Sequence, residues 1–126
     1  MVNSIKKPKL RKMKPSDKKT WTSALRSGEF TQTKGALVKG TGESAKHCCL
    51  GVAQCVLGER SPGFGQYLLR AGRFGLSRQL QKALAAANDG NRARNTFKEL
   101  GVEPPELNTR GRANFNQIAD WIDKHL

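Results

Sequence analysis

The amino-acid sequence predicts a small, mainly α-helical domain of four or five short helices, with at most one short β-hairpin and a flexible basic arm at the N-terminus. Apolar residues recur at helical spacing in several segments of the 126-residue chain, and a glycine follows most of these segments. Lysines and prolines crowd the first fifteen residues, where apolar residues are sparse. A chain of this length can bury one modest core. We therefore expect an arm over residues 1–15 and a single small helical domain over residues 16–126.

Charge sets the N-terminal arm apart from the rest of the chain. Eight of the first nineteen residues are Lys or Arg and one is acidic, in a chain whose formal net charge is +13. Because so few apolar residues cannot offset the entropy lost on folding, the arm is predicted to be disordered. Positive charge of this density is typical of segments that bind polyanions such as nucleic acid. The candidate phosphate-binding residues of the arm are Lys6, Lys7, Lys9, Arg11, Lys12 and Lys14.

The first half of the domain is predicted to hold two helices. The first spans residues 17–27, with Ser16 or Asp17 as its N-cap and Gly28 as its stop. Residues 29–43 contain too many glycines for a helix and favour a loop or one short strand. Ser44 is the expected cap of the second helix, which is apolar nearly all round and ends at Gly58. That pattern indicates the central buried helix.

An irregular connection and two further helices are predicted next. Residues 58–75 contain five glycines and a proline, which favours a long loop with one turn of helix near residues 66–70. Ser77 then caps a helix that closes at residues 88–90, where the sequence is Asn-Asp-Gly. A shorter helix through Phe97 and Leu100 stops at Gly101.

The last helix gives the clearest periodic signal. It begins near Asn114 and places apolar residues at i, i+3, i+4 and i+7, from Phe115 to Ile122. Asp120, Asp123 and Lys124 fall on the opposite, solvent-facing side. The side chains that we expect to pack together in the core are Trp21, Leu25, Leu50, Val56, Leu84, Ile118 and Ile122.

Metal binding and thiol catalysis are the chemical alternatives, and His47, Cys48, Cys49 and Cys55 are their candidate residues. Adjacent side chains diverge by about 100° around a helix, and positions seven apart are separated by about 10 Å, so one zinc ion cannot collect these ligands. The same separation excludes a disulfide between Cys48 and Cys55. A catalytic Cys48 would lack a base, because His47 turns away from it and His125 lies at the far end of the sequence. We expect buried cysteines, no catalytic residue, no metal and no cofactor.

Two other basic segments offer interaction surfaces. The helices on either side of residues 88–90 suit a helix-turn-helix, although short helix pairs joined at glycine occur in any helical domain. Arg92, Arg94 and Lys98 would then reach phosphates or base edges. The secondary nucleic-acid candidates are Arg92, Arg94, Arg110 and Arg112. A second patch, usable on nucleic acid or simply solvated, combines Arg70, Arg73, Arg78 and Lys82 with Tyr67 and Phe74.

Several short boxes carry a resemblance to a known group. They are WTSALRSGEF at residues 21–30, QTKGAL at 32–37, CCLGV at 48–52 with Cys55, FGLS at 74–77, Asn-Asp-Gly at 88–90 and FNQIADWI at 115–122. In these boxes the chain resembles a group of small uncharacterised proteins encoded by bacteriophages and some bacterial genomes. The resemblance covers most of residues 20–126 and implies a phage origin without an activity. The lysine arm and residues 92–112 depart from the shared pattern, and because both are basic they favour an anionic partner.

These observations favour a non-enzymatic phage accessory or virion-associated protein that binds nucleic acid without sequence specificity through its arm. The alternative is a protein-binding module, either an inhibitor of a host protein or a structural virion component, that docks on an acidic protein surface. No stretch approaches the ~20 apolar residues that span a bilayer, so no membrane partner is expected. We expect the protein in the host cytoplasm or the virion. The choice between DNA and RNA and the oligomeric state stay open.

Overall fold

A computed structural model of the chain describes residues 10–58, 66 and 68–126. The described residues form five α-helices: α1 (Pro15–Arg26), α2 (Cys49–Leu57), α3 (Arg78–Asp89), α4 (Ala93–Leu100) and α5 (Phe115–His125). Two short strands, β1 (Val38–Lys39) and β2 (Lys46–His47), pair antiparallel with Val38 opposite His47. The prediction of a small, mainly α-helical domain with one short hairpin is confirmed.

Helix α1 begins two residues before the predicted start. Pro15 occupies its first turn, where a missing N–H costs nothing and the fixed φ suits a helix. Ser16 and Asp17 therefore lie inside the first turn, and Lys14 is the N-cap without a side-chain cap bond. At the other end, Gly28 has a φ of +80° and follows the helix as predicted.

The residues just before α1 lie on the domain, although the predicted arm extends to residue 15. Met13 is 5% exposed, and its backbone N–H donates to the carbonyl oxygen of Leu126 at 2.9 Å. Leu10 also packs against the core. Lys6, Lys7 and Lys9, which carry the rest of the prediction for the arm, lie outside the described residues.

Helix α2 starts five residues after Ser44, so the prediction that Ser44 caps it is wrong. The intervening residues form β2, whose pairing with β1 takes the backbone bonds that a longer helix would have used. Cys48 is the actual N-cap, and its thiol accepts the N–H of Gly51. A Cβ on Gly51 would overlap the carbonyl oxygen of Leu37 and lie 2.8 Å from its carbon, so only glycine fits there.

Helices α3, α4 and α5 confirm their predicted caps. The Ser77 hydroxyl accepts the N–H of Leu80 at the start of α3. Gly101, with a φ of +84°, ends α4. Asn114 and Gln117 form a reciprocal capping box at the start of α5, in which each side chain accepts the other residue's backbone N–H.

The core lies where α1 packs on α2 and α5 and where α3 packs on α4. Six of the seven predicted core side chains are buried, and Val56 is half-buried near the end of α2. The indole Nε1–H of Trp21 donates to the carbonyl oxygen of Cys49 at 2.9 Å, which fixes α1 against the start of α2. Among the described helices, none is long and apolar enough to cross a membrane.

Candidate nucleic-acid interface

Three of the predicted secondary candidates meet at one cleft. Arg92, Arg94 and Arg110 line a cavity of about 280 Å³ between the start of α4 and the loop at residues 109–111. The other residues that line it are Gly90, Ala93, Asn95, Thr109 and Gly111. We call this cavity the arginine cleft. Arg92, Arg94 and Arg110 are exposed, so their guanidinium groups are accessible to a ligand.

The turn between α3 and α4 places Arg92 and Arg94 at this cleft. Gly90 ends α3 with a φ of +78°, and its N–H donates to the carbonyl oxygen of Ala86. Arg92 then adopts a left-handed conformation at φ +57° and ψ +34° as the residue that precedes α4. A non-glycine residue in this region costs about 1–3 kcal/mol, and such strain is concentrated at functional sites. Arg92 lies between two helices, α3, which ends at Asp89, and α4, which begins at Ala93.

The loop that carries Arg110 is a tight turn organised by Asn108. The Asn108 side-chain oxygen accepts the backbone N–H groups of Arg110 and Arg112, at 2.9 and 3.0 Å. The backbone N–H of Asn108 donates to the carbonyl oxygen of Arg112 at 2.8 Å. This turn fixes the backbone at Arg110 and brings a residue that is sixteen positions from Arg94 in sequence to the same cleft.

Arg112, the fourth candidate of this group, has a structural partner. Its Nε–H donates to the backbone carbonyl of Asn88 at 2.9 Å, and the residue is half-buried. It joins the 108–112 turn to the end of α3. The structure therefore separates Arg112 from the three exposed arginines that line the cleft.

The ion-paired carboxylates of the described residues do not line the arginine cleft. Arg26 pairs with Asp120 at 2.7 Å and with Asp123 at 2.8 Å, and these partners raise the pKa of its guanidinium. Glu103 pairs with Lys124, which lowers the pKa of that carboxyl. Among the described residues, those that line the arginine cleft include no carboxylate. The positive charge of the cleft is therefore not neutralised from within.

The described basic residues of the predicted arm, Arg11, Lys12 and Lys14, are all exposed. The ammonium group of Lys12 donates to the carbonyl oxygen of His125 at 3.3 Å. Arg11 lies at a second cavity, of about 470 Å³, which we call the α3 groove. The groove is lined by the apolar Leu10, Leu80 and Leu100, by Arg11 and Arg78, and by residues of the 71–77 turn.

The predicted basic and aromatic patch borders the same groove. Gln81, fully buried, accepts the N–H of Leu69 and donates to the carbonyl oxygens of Arg70 and Leu76, which fixes the turn between them. In that turn the Arg73 guanidinium lies 5.0 Å from the ring centroid of Phe74. Arg70, Arg73, Arg78 and Lys82 are exposed, whereas Tyr67 lies outside the described residues.

The cysteines pack into the domain instead of forming a reactive cluster. Burial raises the pKa of the Cys48 thiol to about 11 and raises that of Cys49 well above its usual value. Cys49, fully buried, donates its thiol to the carbonyl oxygen of Leu84. Burial also raises the pKa of the half-buried Cys55 thiol. Thiols with raised pKa values are poor nucleophiles at neutral pH.

Two features of this surface have no signal in the sequence. The left-handed backbone at Arg92 and Phe74 occurs at residues that do not favour it, so the directions of both turns follow from tertiary contacts. The meeting of Arg11 with Arg78 across 67 positions depends on how the N-terminal segment packs. The basic and aromatic residues at positions 70–82 indicated a surface patch in the sequence, but neither of these two features.

The comparisons with known proteins place one part of the chain. Residues 13–62 match the model of a domain of unknown function, DUF8296. The matched part contains α1, the hairpin and α2 and ends before α3. No curated protein and no solved structure matches the chain.

Proposed function

We propose that this protein is a non-enzymatic phage accessory or virion-associated protein that binds nucleic acid without sequence specificity. The arm and the arginine cleft neutralise backbone phosphates and release the counterions condensed on them. Contacts of this kind position a protein on nucleic acid and carry no sequence information. The observation that carries the proposal is the arginine cleft, where Arg92, Arg94 and Arg110 line one cavity.

Three features of the cleft suit a phosphate. Each guanidinium presents a planar set of donors that matches phosphate oxygens in a bidentate geometry. The start of α4 adds backbone N–H groups without partners inside the helix and the positive end of its dipole. The cleft lies within residues 92–112 and the turn before them, the basic stretch that departs from the pattern of the resembled phage group.

The test compares two variants that lose the same charge. One carries Arg92→Gln, Arg94→Gln and Arg110→Gln, and the control carries Lys34→Gln, Lys39→Gln and Lys46→Gln, all exposed positions near the hairpin. Fluorescence anisotropy with a random duplex at constant salt measures both. We expect the cleft variant to lose about tenfold or more in affinity and the control to lose markedly less. Equal losses would mean that net charge alone acts and that the cleft is not the site.

The arm is tested by substitution instead of truncation. A deletion through residue 15 would remove Met13 and Leu10 from the core and confuse binding with stability. Lys6→Gln, Lys7→Gln and Lys9→Gln leave the described packing intact, and we expect them to weaken binding further when combined with the cleft variant. If nucleic acid fails to bind and one protein is retained from nuclease-treated lysate, an acidic protein surface is the partner instead.

A further inference from the structure

The α3 groove has a different character from the arginine cleft. Leu10, Leu80 and Leu100 give it an apolar lining, and Arg11 and Arg78 place two cations at it. Leu80 and Leu100 are 2% and 5% exposed, so they form the bottom of the groove. Its volume of about 470 Å³ falls in the range of about 300–1,000 Å³ that is usual for sites of small organic groups.

We propose that the α3 groove binds an unpaired nucleotide of single-stranded nucleic acid. The base lies against Leu10, Leu80 and Leu100, and Arg11 and Arg78 hold the flanking phosphates. This inference rests on the proposed function and deepens it, because it names single-stranded chains as the preferred class of ligand.

The apolar lining favours a base over a bare phosphate. A phosphate group gains nothing from an apolar lining, whereas the flat face of a nucleobase loses unfavourable contact with water when it covers the half-buried Leu10 and the small exposed parts of Leu80 and Leu100. In a duplex, neighbouring bases cover these faces, so a paired base cannot enter the groove without being flipped out of the helix. A single strand exposes its bases and has no such cost.

The charges at the groove complement the backbone of the same strand. Arg11 and Arg78 come from two different segments, the one before α1 and the first turn of α3, and each brings a cation to the lining of the cavity. Among the described residues that line the groove there is no carboxylate. An anion beside the bound base would therefore meet only cations among the charged residues that line the groove.

The turn beside the groove offers a platform for a neighbouring base. Gly72 and Gly75 line the groove, and Arg73 and Phe74 lie between them with the guanidinium 5.0 Å from the ring centroid. Phe74 is held in a left-handed conformation, at φ +55° and ψ +24°, although phenylalanine does not favour it. Aromatic rings and guanidinium planes are the surfaces on which unpaired bases stack. Phe74 also packs against the core, which keeps this pair in the turn beside the groove.

The experiment uses the full chain and four labelled ligands of about 15 units each: oligothymidine, oligouridine, an abasic strand with the same phosphates, and a duplex. We expect wild-type protein to bind a base-bearing strand about tenfold more tightly than the abasic strand. Arg78→Gln should weaken binding of the base-bearing strand several-fold, because it removes a cation that holds the flanking phosphate at the groove. It should thereby reduce the preference for that strand and leave duplex binding nearly unchanged, because Arg78 belongs to neither the arm nor the arginine cleft. Phe74→Asn, which tolerates left-handed backbone, should weaken binding of the base-bearing strand by a smaller factor.

The cleft variant, Arg92→Gln with Arg94→Gln and Arg110→Gln, is the matched control, because it should weaken duplex and single strands alike. Preference for thymidine or uridine strands identifies DNA or RNA as the source of the nucleotide, and either supports the inference. Equal affinity for abasic and base-bearing strands would overturn it and leave the proposed function standing. Absence of binding to all four ligands at low salt would overturn the proposed function as well.

Discussion

The side-chain oxygen of Asn88 accepts the backbone N–H of Cys49 at 3.1 Å, although the two residues are 39 positions apart. The same oxygen accepts the side chain of Gln32, and the Asn88 amide donates to the carbonyl oxygen of Thr33. The backbone carbonyl oxygen of Asn88 accepts the Nε–H of Arg112. Asn88 is fully buried, so one side chain joins the end of α3, the start of α2 and the loop before the hairpin.

Replacement of Asn88 by Ala should therefore be strongly destabilising. It leaves the buried N–H of Cys49 and the part-buried carbonyl oxygen of Thr33 without this partner, and we expect a loss of about 2–4 kcal/mol in the free energy of unfolding. Urea denaturation followed by circular dichroism measures it. Asn95→Ala, at an exposed position in α4, is the control and should change stability by less than about 0.5 kcal/mol. Similar losses in the two variants would show that Asn88 does not hold these segments together.

Gly51→Ala should destabilise the domain although alanine favours helices. The new Cβ would overlap the carbonyl oxygen of Leu37, a backbone atom that cannot turn aside. We expect a net loss of about 1–3 kcal/mol, as for other overpacked cores, measured by thermal unfolding. Cys55→Ala, at a half-buried position of the same helix, should cost less. A stabilised Gly51→Ala protein would contradict the close approach of α2 to Leu37.

The buried thiol of Cys48 predicts a loss of stability at high pH. Its pKa is about 11 in the folded protein against an ordinary value of 9.0, so the native state binds this proton more tightly than the unfolded chain does. The stability that comes from this proton is fully present below about pH 9 and is lost as the pH rises toward 11. The free energy of unfolding falls there by up to about 1.4 kcal/mol per pH unit. Cys48→Ser keeps an N-cap oxygen for Gly51 and removes the titrating thiol. Its stability should fall less steeply between pH 9 and 11, and an unchanged slope would refute the assignment.

Gln81→Met tests the anchor of the 69–76 turn. Methionine keeps the length of the side chain but removes three hydrogen bonds, to Leu69, Arg70 and Leu76. We expect faster hydrogen exchange at the amides of residues 72, 75 and 76, and a loss of about 1–3 kcal/mol in stability. Hydrogen exchange at the amides of α5 should accelerate only as much as the loss of global stability requires. Uniform acceleration across the domain would mean that the turn does not open on its own.

The sequence predicted most elements of this fold because their signals are local. Ser77, Gly101 and Asn114 act through neighbouring backbone groups, and each is found where its type predicts. The start of α2 was misplaced because the hairpin competes for residues 46–47, and strand pairing depends on a partner distant in sequence. In the sequence, a serine before an apolar run looks the same whether it caps a helix or precedes a strand.

The candidate site was partly predictable for the same reason. The arginines of residues 92–112 were identifiable by charge. Arg94 and Arg110 line the same cleft because Asn108 holds the turn at Arg110. Arg112 does not line the cleft, and it donates to the backbone carbonyl of Asn88. Asn88 itself had only the signal of a helix-closing residue. Asn88 is buried because three segments pack around it, and a local sequence pattern does not predict such packing.

The dependence of duplex binding on salt tests the central claim most directly. If the arm and the arginine cleft together engage about six phosphates, the affinity of the wild-type protein should fall by around a thousandfold between about 50 and 200 mM salt. The slope of log K against log salt should also decrease by about two to three in the variant that lacks Arg92, Arg94 and Arg110. A flat salt dependence, or an unchanged slope in that variant, would contradict phosphate binding at the cleft.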